Sequence, residues 1–268
     1  MKLDKITSVI DERGIATVTL NNPDKHNAFD DQIVAQLTHI FLDLNANAAV
    51  RVVILAAKGK SFSAGADLNW MKRMANYSVE ENLVDAKKLA LMLHTLYSLS
   101  KPTIARVQGA AFGGGVGLVS CCDMAIAAEH ASFSLSEVKL GMVPATISPY
   151  VIEAIGPRAA RRYFMTAERF TAATAFQLGL VNECVAQEQL DASIATITDA
   201  LLTNGPAAVT SAKQLISEIK FQAIDQALIK QTSELIATIR SSAEGKEGLG
   251  AFLEKRQPNW INAATAGE

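Results

Sequence analysis

Three cysteines in 268 residues are too few and too badly placed for a disulfide framework, since Cys121 and Cys122 are adjacent and Cys184 stands alone. They read as buried thiols of a reducing compartment, and without any C-x-x-C pair there is no thiolate zinc motif. The four histidines, His26, His39, His94 and His130, follow no H-x-x-x-H or similar ligand spacing, so no metal site is expected. Neither sign of charge is in excess. With 25 Lys and Arg against 27 Asp and Glu, the net charge of −2 argues against general affinity for nucleic acid or an anionic membrane. The most apolar stretch, Gly109 to Cys122, is broken by glycines and closed by Asp123, short of the ~18 residues a membrane span needs. Met1 to Lys5 alternates charge without an apolar signal core, and the expected location is cytoplasmic. A G-x-S-x-G elbow is missing, as are internal repeats and low-complexity tracts.

What is present is apolar substance, at 49% of residues. A chain of this length spans one to two domains at ~150 residues each and buries roughly three quarters of its unfolded surface. Ile6 to Asp11 and Ile15 to Leu20 predict a hairpin around Glu12-Arg13-Gly14. From Asp30, residues Ile33, Val34, Leu37, Ile40, Phe41 and Leu44 fall on one helical face. Val52 to Ala56 reads as a strand followed by a small-residue loop, Gly59 to Asp67. A long helix from Val79 to Leu99 stops at Ser100-Lys101-Pro102, and Thr103 to Val107 is a buried strand running into the glycines of 109–115. A small-residue helix then leads to a strand-like Met124 to Ala127. This is the grammar of an α/β protein with a largely parallel sheet. After about residue 186 only helices are expected, over 190–202, 207–220, 224–240 and 244–255.

Gly113-Gly114-Gly115 follows a strand and opens a helix, where backbone can approach a ligand and exposed N–H groups favour negative charge. The continuation Val116-Gly117-Leu118 completes neither a P-loop nor a dinucleotide fingerprint, and tight helix packing accounts for the glycines equally well. Ser63-Ala64-Gly65-Ala66-Asp67 is a second small loop after a strand. Two such loops can aim one N–H apiece at a single oxygen, the arrangement of an oxyanion hole. Glu137, among apolar and hydroxyl residues near a turn, is the candidate acid–base carboxylate, because desolvation there raises its pKa. A helix-start carboxylate beside Lys139 is the plainer reading. Arg158, Arg161 and Arg162 form a basic stripe that fits a solvated helix face or a contact to a substrate anion.

Taken together, several motifs resemble the enoyl-CoA hydratase/isomerase (crotonase) superfamily along nearly the whole chain. They are Asn21 to Phe29, Phe62 to Leu68, Lys101 to Ala105, Gly109 to Asp123, Glu137 to Pro144 and Phe252 to Arg256. The resemblance implies a crotonase-type spiral of ββα units over residues 1–190, holding the CoA site, and a helical trimerisation region over 191–268. It implies an acyl-CoA thioester substrate, no separate cofactor, and a homotrimer or dimer of trimers without nucleic-acid or membrane partners. By motif, the amides of Ala66 and Gly114 would meet the thioester oxygen, with Gly113 beside them, and Glu137 would move the proton. Ala28 and the loop Ala64, Gly65, Asp67 and Leu68 would line the CoA site. Lys25 and Lys255 would contact phosphates, the second across a subunit interface.

Two departures narrow the reading. Hydratases of this kind carry two glutamates, and the position of one is Gly117 here, so only Glu137 is kept. The segment Ala145 to Ile152 and the following arginines resemble a bacterial branch assigned to 3-methylglutaconyl-CoA hydratase in leucine breakdown. Hydration of an enoyl-CoA, with that substrate as the best single expectation, therefore leads. A Δ3,Δ2-enoyl-CoA isomerase using the lone glutamate follows, and a non-catalytic CoA- or RNA-binding scaffold is third. A dicarboxylate substrate would need a cation at the acyl end, for which Arg73, Arg158, Arg161 and Arg162 are the candidates.

Overall fold

The computed structural model describes residues 5–261; Met1 to Asp4 and the last part of the helical region, 262–268, lie outside it. The chain runs β1 (Ile6–Ile10), β2 (Ile15–Leu20), α1 (Asp31–Ala46), β3 (Val52–Ala57), β4 (Ser61–Ser63), α2 (Leu68–Met74) and α3 (Val79–Tyr97). It continues with β5 (Thr103–Val107), β6 (Ala110–Phe112), α4 (Gly114–Cys121), β7 (Met124–Ala128), β8 (Ser132–Ser134), α5 (Ser148–Thr166), β9 (Phe170–Thr171), α6 (Ala172–Leu178) and β10 (Glu183–Val185). Four helices end it: α7 (Leu190–Leu202), α8 (Pro206–Ile219), α9 (Gln226–Ser241) and α10 (Ala243–Leu253).

The expected hairpin is present as β1 and β2, in antiparallel register from Ile6 opposite Leu20. Every other neighbour pair of the six-stranded sheet β1-β2-β3-β5-β7-β10 is parallel. β3 shows why its run reads as uniformly apolar. Val53, Leu55 and Ala57 enter the main core, while Val52, Ile54 and Ala56 face a second cluster completed by Leu190, Ile194 and Leu202 of α7. Helix α1 begins where the Asp30 carboxylate caps the Ile33 N–H at 3.0 Å, and it buries Ile33, Val34, Leu37, Phe41 and Leu44. α3 starts with a reciprocal box, Glu81 N–H to Ser78 Oγ at 3.1 Å and Ser78 N–H to Glu81 Oε2 at 2.8 Å.

The segments expected as loops after β3 and β5 contain strands. β4, β6, β8 and β9 form a second, four-stranded sheet in that order. Each of β3–β4, β5–β6 and β7–β8 contributes one strand to the large sheet and the next to the small one, the ββα spiral that the resemblance implies. Three-residue strands are too short to show alternation, so they pass for small-residue loops. α5 carries the arginine stripe on its outer face, as the helix reading of that stripe has it, and is broken at Gly156 (φ 74°) just before Pro157. The cysteines are free, but only Cys121 is fully buried, Cys122 and Cys184 being half-buried. Among the described residues no helix is long and apolar enough to cross a membrane. Phe221, Ile224, Phe252 and Leu253 stand exposed at the helical C-terminal end.

Candidate active site

Three neighbouring strands of the small sheet deliver three loops to one place. β4 and β6 are parallel, with Ser63 opposite Ala111, and β6 and β8 pair Phe112 with Ser134. The chain therefore leaves β4 into Ala64 to Asp67, β6 into Gly113 and Gly114, and β8 into Glu137, all at the strands' carboxyl ends. The first two loops are in contact: a β-carbon on Gly65 (φ +86°) would lie 2.9 Å from the Phe112 carbonyl oxygen and 3.5 Å from the Gly114 nitrogen. Only glycine fits there.

Phe29 clamps the first loop as a one-residue parallel bridge. Its N–H donates to Gly65 O, and its carbonyl accepts from Asp67 N–H, both at 2.9 Å. The Ala66 amide takes no part in this bridge and has no acceptor among the described residues. Gly114 is the first residue of α4, where an N–H has no intrahelical partner, and it too has no acceptor. Glu137 opens a short 3-10 turn, Glu137–Leu140. Its carboxylate lies over the second loop, with Oε1 3.1 Å from where a β-carbon on Gly113 would stand. Oε2 is buried and has no hydrogen-bond partner among the described residues. Burial pushes the Glu137 carboxyl above the ordinary glutamate range, and a backbone hydrogen bond only partly offsets this.

These groups share a cavity of about 500 Å³, lined by Ala64, Gly65, Ala66, Leu68, Gly113, Gly114 and Glu137. Most of the remaining wall is apolar, including Phe29, Trp70, Met74, Leu89 and Ile147. In the second cavity of similar volume, beside α4, α5 and α8, both lining carboxylates among the described residues are ion-paired. There Lys213 holds Asp123 at 2.7 Å and Lys220 holds Glu153 at 2.6 Å.

Four expected CoA-binding residues do not line the active cavity. Ala28 is buried behind the loop. Asp67 caps α2, accepting from Asn69 N–H at 2.8 Å and Trp70 N–H at 3.3 Å, and it is bound by Lys25 Nζ at 3.0 Å. Burial pushes the Asp67 carboxyl up, but Lys25 and the two amides outweigh it and leave it below the usual aspartate range. Lys25 is half exposed beside the first loop, and Lys255 is exposed beyond α10 with a positive φ of 55°.

None of the arginines proposed for the acyl end lines the cavity. Arg73 is ion-paired with Asp31, and Arg162 is bidentate to Glu168 at 2.6 and 3.1 Å. Arg158 and Arg161 are not buried and lie on α5 past its break. Proximity in sequence misplaced them because α2 and the distal half of α5 turn these side chains to the outside. Sequence reasoning in turn missed Trp70, Asp85 and Ile147. The one available signal was the i, i+3, i+4, i+7 face Asn82, Asp85, Ala86, Leu89 of α3, all four of which line the cavity.

Gly117 is fully buried on α4, and its neighbour explains the missing carboxylate. A β-carbon there would collide with the Ile147 side chain, whose Cβ is 2.9 Å away, and Leu93 Cδ2 would be 3.5 Å off. The position that would carry a second glutamate is filled by apolar packing. Among the described residues, no group of three or more His, Cys, Asp or Glu side chains is placed to hold a metal ion.

Residues 11–263 match the family model described as enoyl-CoA hydratase/isomerase. A crystal structure of an enoyl-CoA hydratase from Shewanella pealeana is 47% identical with a TM-score of 0.93, covering 97% of each chain. One from Mycobacterium smegmatis is 33% identical with a TM-score of 0.90, covering 97% of this chain and all of its own. A crotonyl-CoA hydratase of Syntrophomonas wolfei is 32% identical over 94% of this chain and 96% of its own. With its spiral core and these matches, the chain belongs to the enoyl-CoA hydratase/isomerase family of the crotonase superfamily.

Proposed function

We propose that the chain adds water across the 2,3 double bond of an enoyl-CoA thioester. The observation that carries this is the convergence, on one apolar cavity, of two partnerless amides and one partnerless carboxylate oxygen. Glu137 takes a proton from water as the hydroxyl bonds to carbon 3. The displaced electron pair moves to the thioester oxygen, held by the N–H groups of Ala66 and Gly114. Glu137 then returns the proton to carbon 2 and is regenerated, so one carboxylate serves as base and acid on a single face. Relatives named as hydratases support water as the second reactant. The test is the ultraviolet band of the conjugated enoyl thioester, which is expected to fade on adding enzyme. A panel of 2-enoyl-CoA esters left unchanged would overturn the reading.

One feature favours a second reaction at the same site. With Ile147 over Gly117, the wall where a second carboxylate would hold water is apolar. Moving a proton from carbon 2 to carbon 4 of a 3-enoyl ester needs only Glu137 and the two amides. Growth of the conjugated band from a 3-enoyl-CoA would mark this Δ3,Δ2 isomerisation. Silence with both substrate types would leave the scaffold reading.

As to the acyl group, 3-methylglutaconyl-CoA ends in a carboxylate, which is costly to desolvate without a cation, and among the described residues no lysine or arginine lines the cavity. We therefore favour an uncharged acyl chain over that substrate. CoA would run past the exposed Leu68 at the first loop, with Lys25 near its phosphates. Lys255 would reach the site of a neighbouring copy in a trimer joined through the exposed apolar residues of the last helices. The free thiols suit a cytoplasmic setting.

A further inference from the structure

Among the described residues, the only acidic side chain lining the cavity besides Glu137 is Asp85, on the cavity face of α3. Its Oδ1 accepts a hydrogen bond from the Trp70 indole N–H at 3.3 Å. Trp70 is 2% exposed and packs at 6.4 Å between ring centroids against Phe29, the residue that clamps the Ala66 loop. The carboxylate is thus held by a buried, immobile donor, and that donor is neutral. Among the described residues no cation is ion-paired with Asp85. Asn82, one turn earlier, donates its amide to the carbonyls of Tyr77 and Ser78 at 3.2 and 3.1 Å. On its outer side Asp85 borders a cleft lined by Asp31, Glu80, Glu81 and Lys88. Lys87 and Lys88 follow Asp85 on the same helix, but among the described residues neither is ion-paired with it, and Arg73 is bound to Asp31.

We propose that Asp85 is a specificity-determining residue, a fixed negative charge in the acyl chamber that rejects acyl chains ending in a carboxylate and admits uncharged ones. The physical reason is repulsion in a partly dry chamber that, among the described residues, no lysine or arginine lines. A relative named as a 2,3-dehydroadipyl-CoA hydratase shows that a family member can carry a name for a dicarboxylic acyl group, so the discrimination is not a property of the fold. The proposal rests on the enoyl-CoA reading above, and its test separates the two.

Saturated esters of similar length report binding without turnover, so butyryl-CoA and glutaryl-CoA are titrated by calorimetry into wild type and Asp85→Asn. The Asn carbonyl preserves the acceptor for Trp70, and Asp85→Ser serves if that variant does not fold. Wild type is expected to bind butyryl-CoA at least tenfold more tightly than glutaryl-CoA. The variant should close most of that gap by gaining glutaryl-CoA affinity, with butyryl-CoA within about threefold of wild type. A wild type that binds both alike or prefers glutaryl-CoA, or a gap unchanged in both variants, overturns the role of Asp85. Discrimination in binding without turnover of any enoyl ester overturns the reaction and upholds Asp85, whereas no binding of either ester overturns both.

Discussion

Ile147 packs over Gly117: its Cβ lies 2.9 Å from the place where a β-carbon on Gly117 would stand, and the residue is 2% exposed. A buried apolar side chain thus fills the space from which a second carboxylate would act, thirty residues on in sequence. Gly117→Glu should be destabilising, by about 1–3 kcal/mol for overpacking alone and further for a buried charge. Ile147→Ala should cost about 2–5 kcal/mol as a cavity. Combined, the two should be non-additive, the double variant being more stable than the sum of the singles because each relieves the other. Urea unfolding of the four proteins measures this, and strict additivity would show that the two positions do not share the space.

That relationship also marks what the sequence could and could not reveal. α1 and α3 were legible because apolar periodicity and side-chain caps at Asp30 and Ser78 are local signals. The two amide loops were legible as small-residue runs after strands, although β4 and β6 within them were too short to be seen. Glu137 stood out locally as the carboxylate among apolar and hydroxyl residues, but a helix-start role was the plainer local reading, and motif context tipped the choice. The fates of Arg73, Asp85 and Gly117 depend on Asp31, Trp70 and Ile147, which are 15 to 42 residues away in sequence. Such pairings are set by how the spiral turns stack, and no window of sequence contains them.

Gly114 faces Phe29. A methyl group at 114 would run into the edge of the Phe29 ring, with Cε2 at 3.2 Å and Cζ closer still. Since Phe29 is 1% exposed and also holds the Ala66 loop, it cannot yield without moving both amides. Gly114→Ala should lower kcat/KM by ~10² or more, the scale of losing an oxyanion donor. Adding Phe29→Leu, which frees space, should restore part of the loss. Wild-type rates in Gly114→Ala would place the reacting oxygen elsewhere.

Asp67 is a cap before it is anything else. Asp67→Ala should cost about 0.5–2 kcal/mol through loss of the bonds to the Asn69 and Trp70 amides. Asp67→Asn, which keeps an acceptor and gives up only the pairing with half-exposed Lys25, should cost less. Because the folded-state pKa is depressed, the contribution is present at neutral pH and is lost as pH falls through the folded value, below the ordinary aspartate range. The gap between wild type and Asp67→Ala in denaturant midpoint should therefore narrow under strong acid. A gap that persists unchanged would mean the charge contributes nothing.

Glu137 makes the opposite prediction. Its buried Oε2 has no partner, and burial raises its pKa, so between the ordinary glutamate range and the raised value the folded protein holds a proton that the unfolded chain has released. Stability then falls as pH rises through that window. Glu137→Gln removes the titration, so the variant should gain on wild type as pH rises from the ordinary glutamate range through the raised value, with the gain complete above the folded-state pKa. The same substitution should lower kcat by ~10² or more while leaving CoA-ester binding nearly intact. It should also abolish the acid limb of the pH–rate profile, which in wild type is expected above the ordinary glutamate range because the base must be ionised to act. Unfolding curves and initial rates on one protein pair, taken across the same pH series, test both halves. A variant less stable than wild type above that window, yet unimpaired in turnover, would make Glu137 a structural carboxylate and remove the acid–base group proposed to work with the two amides.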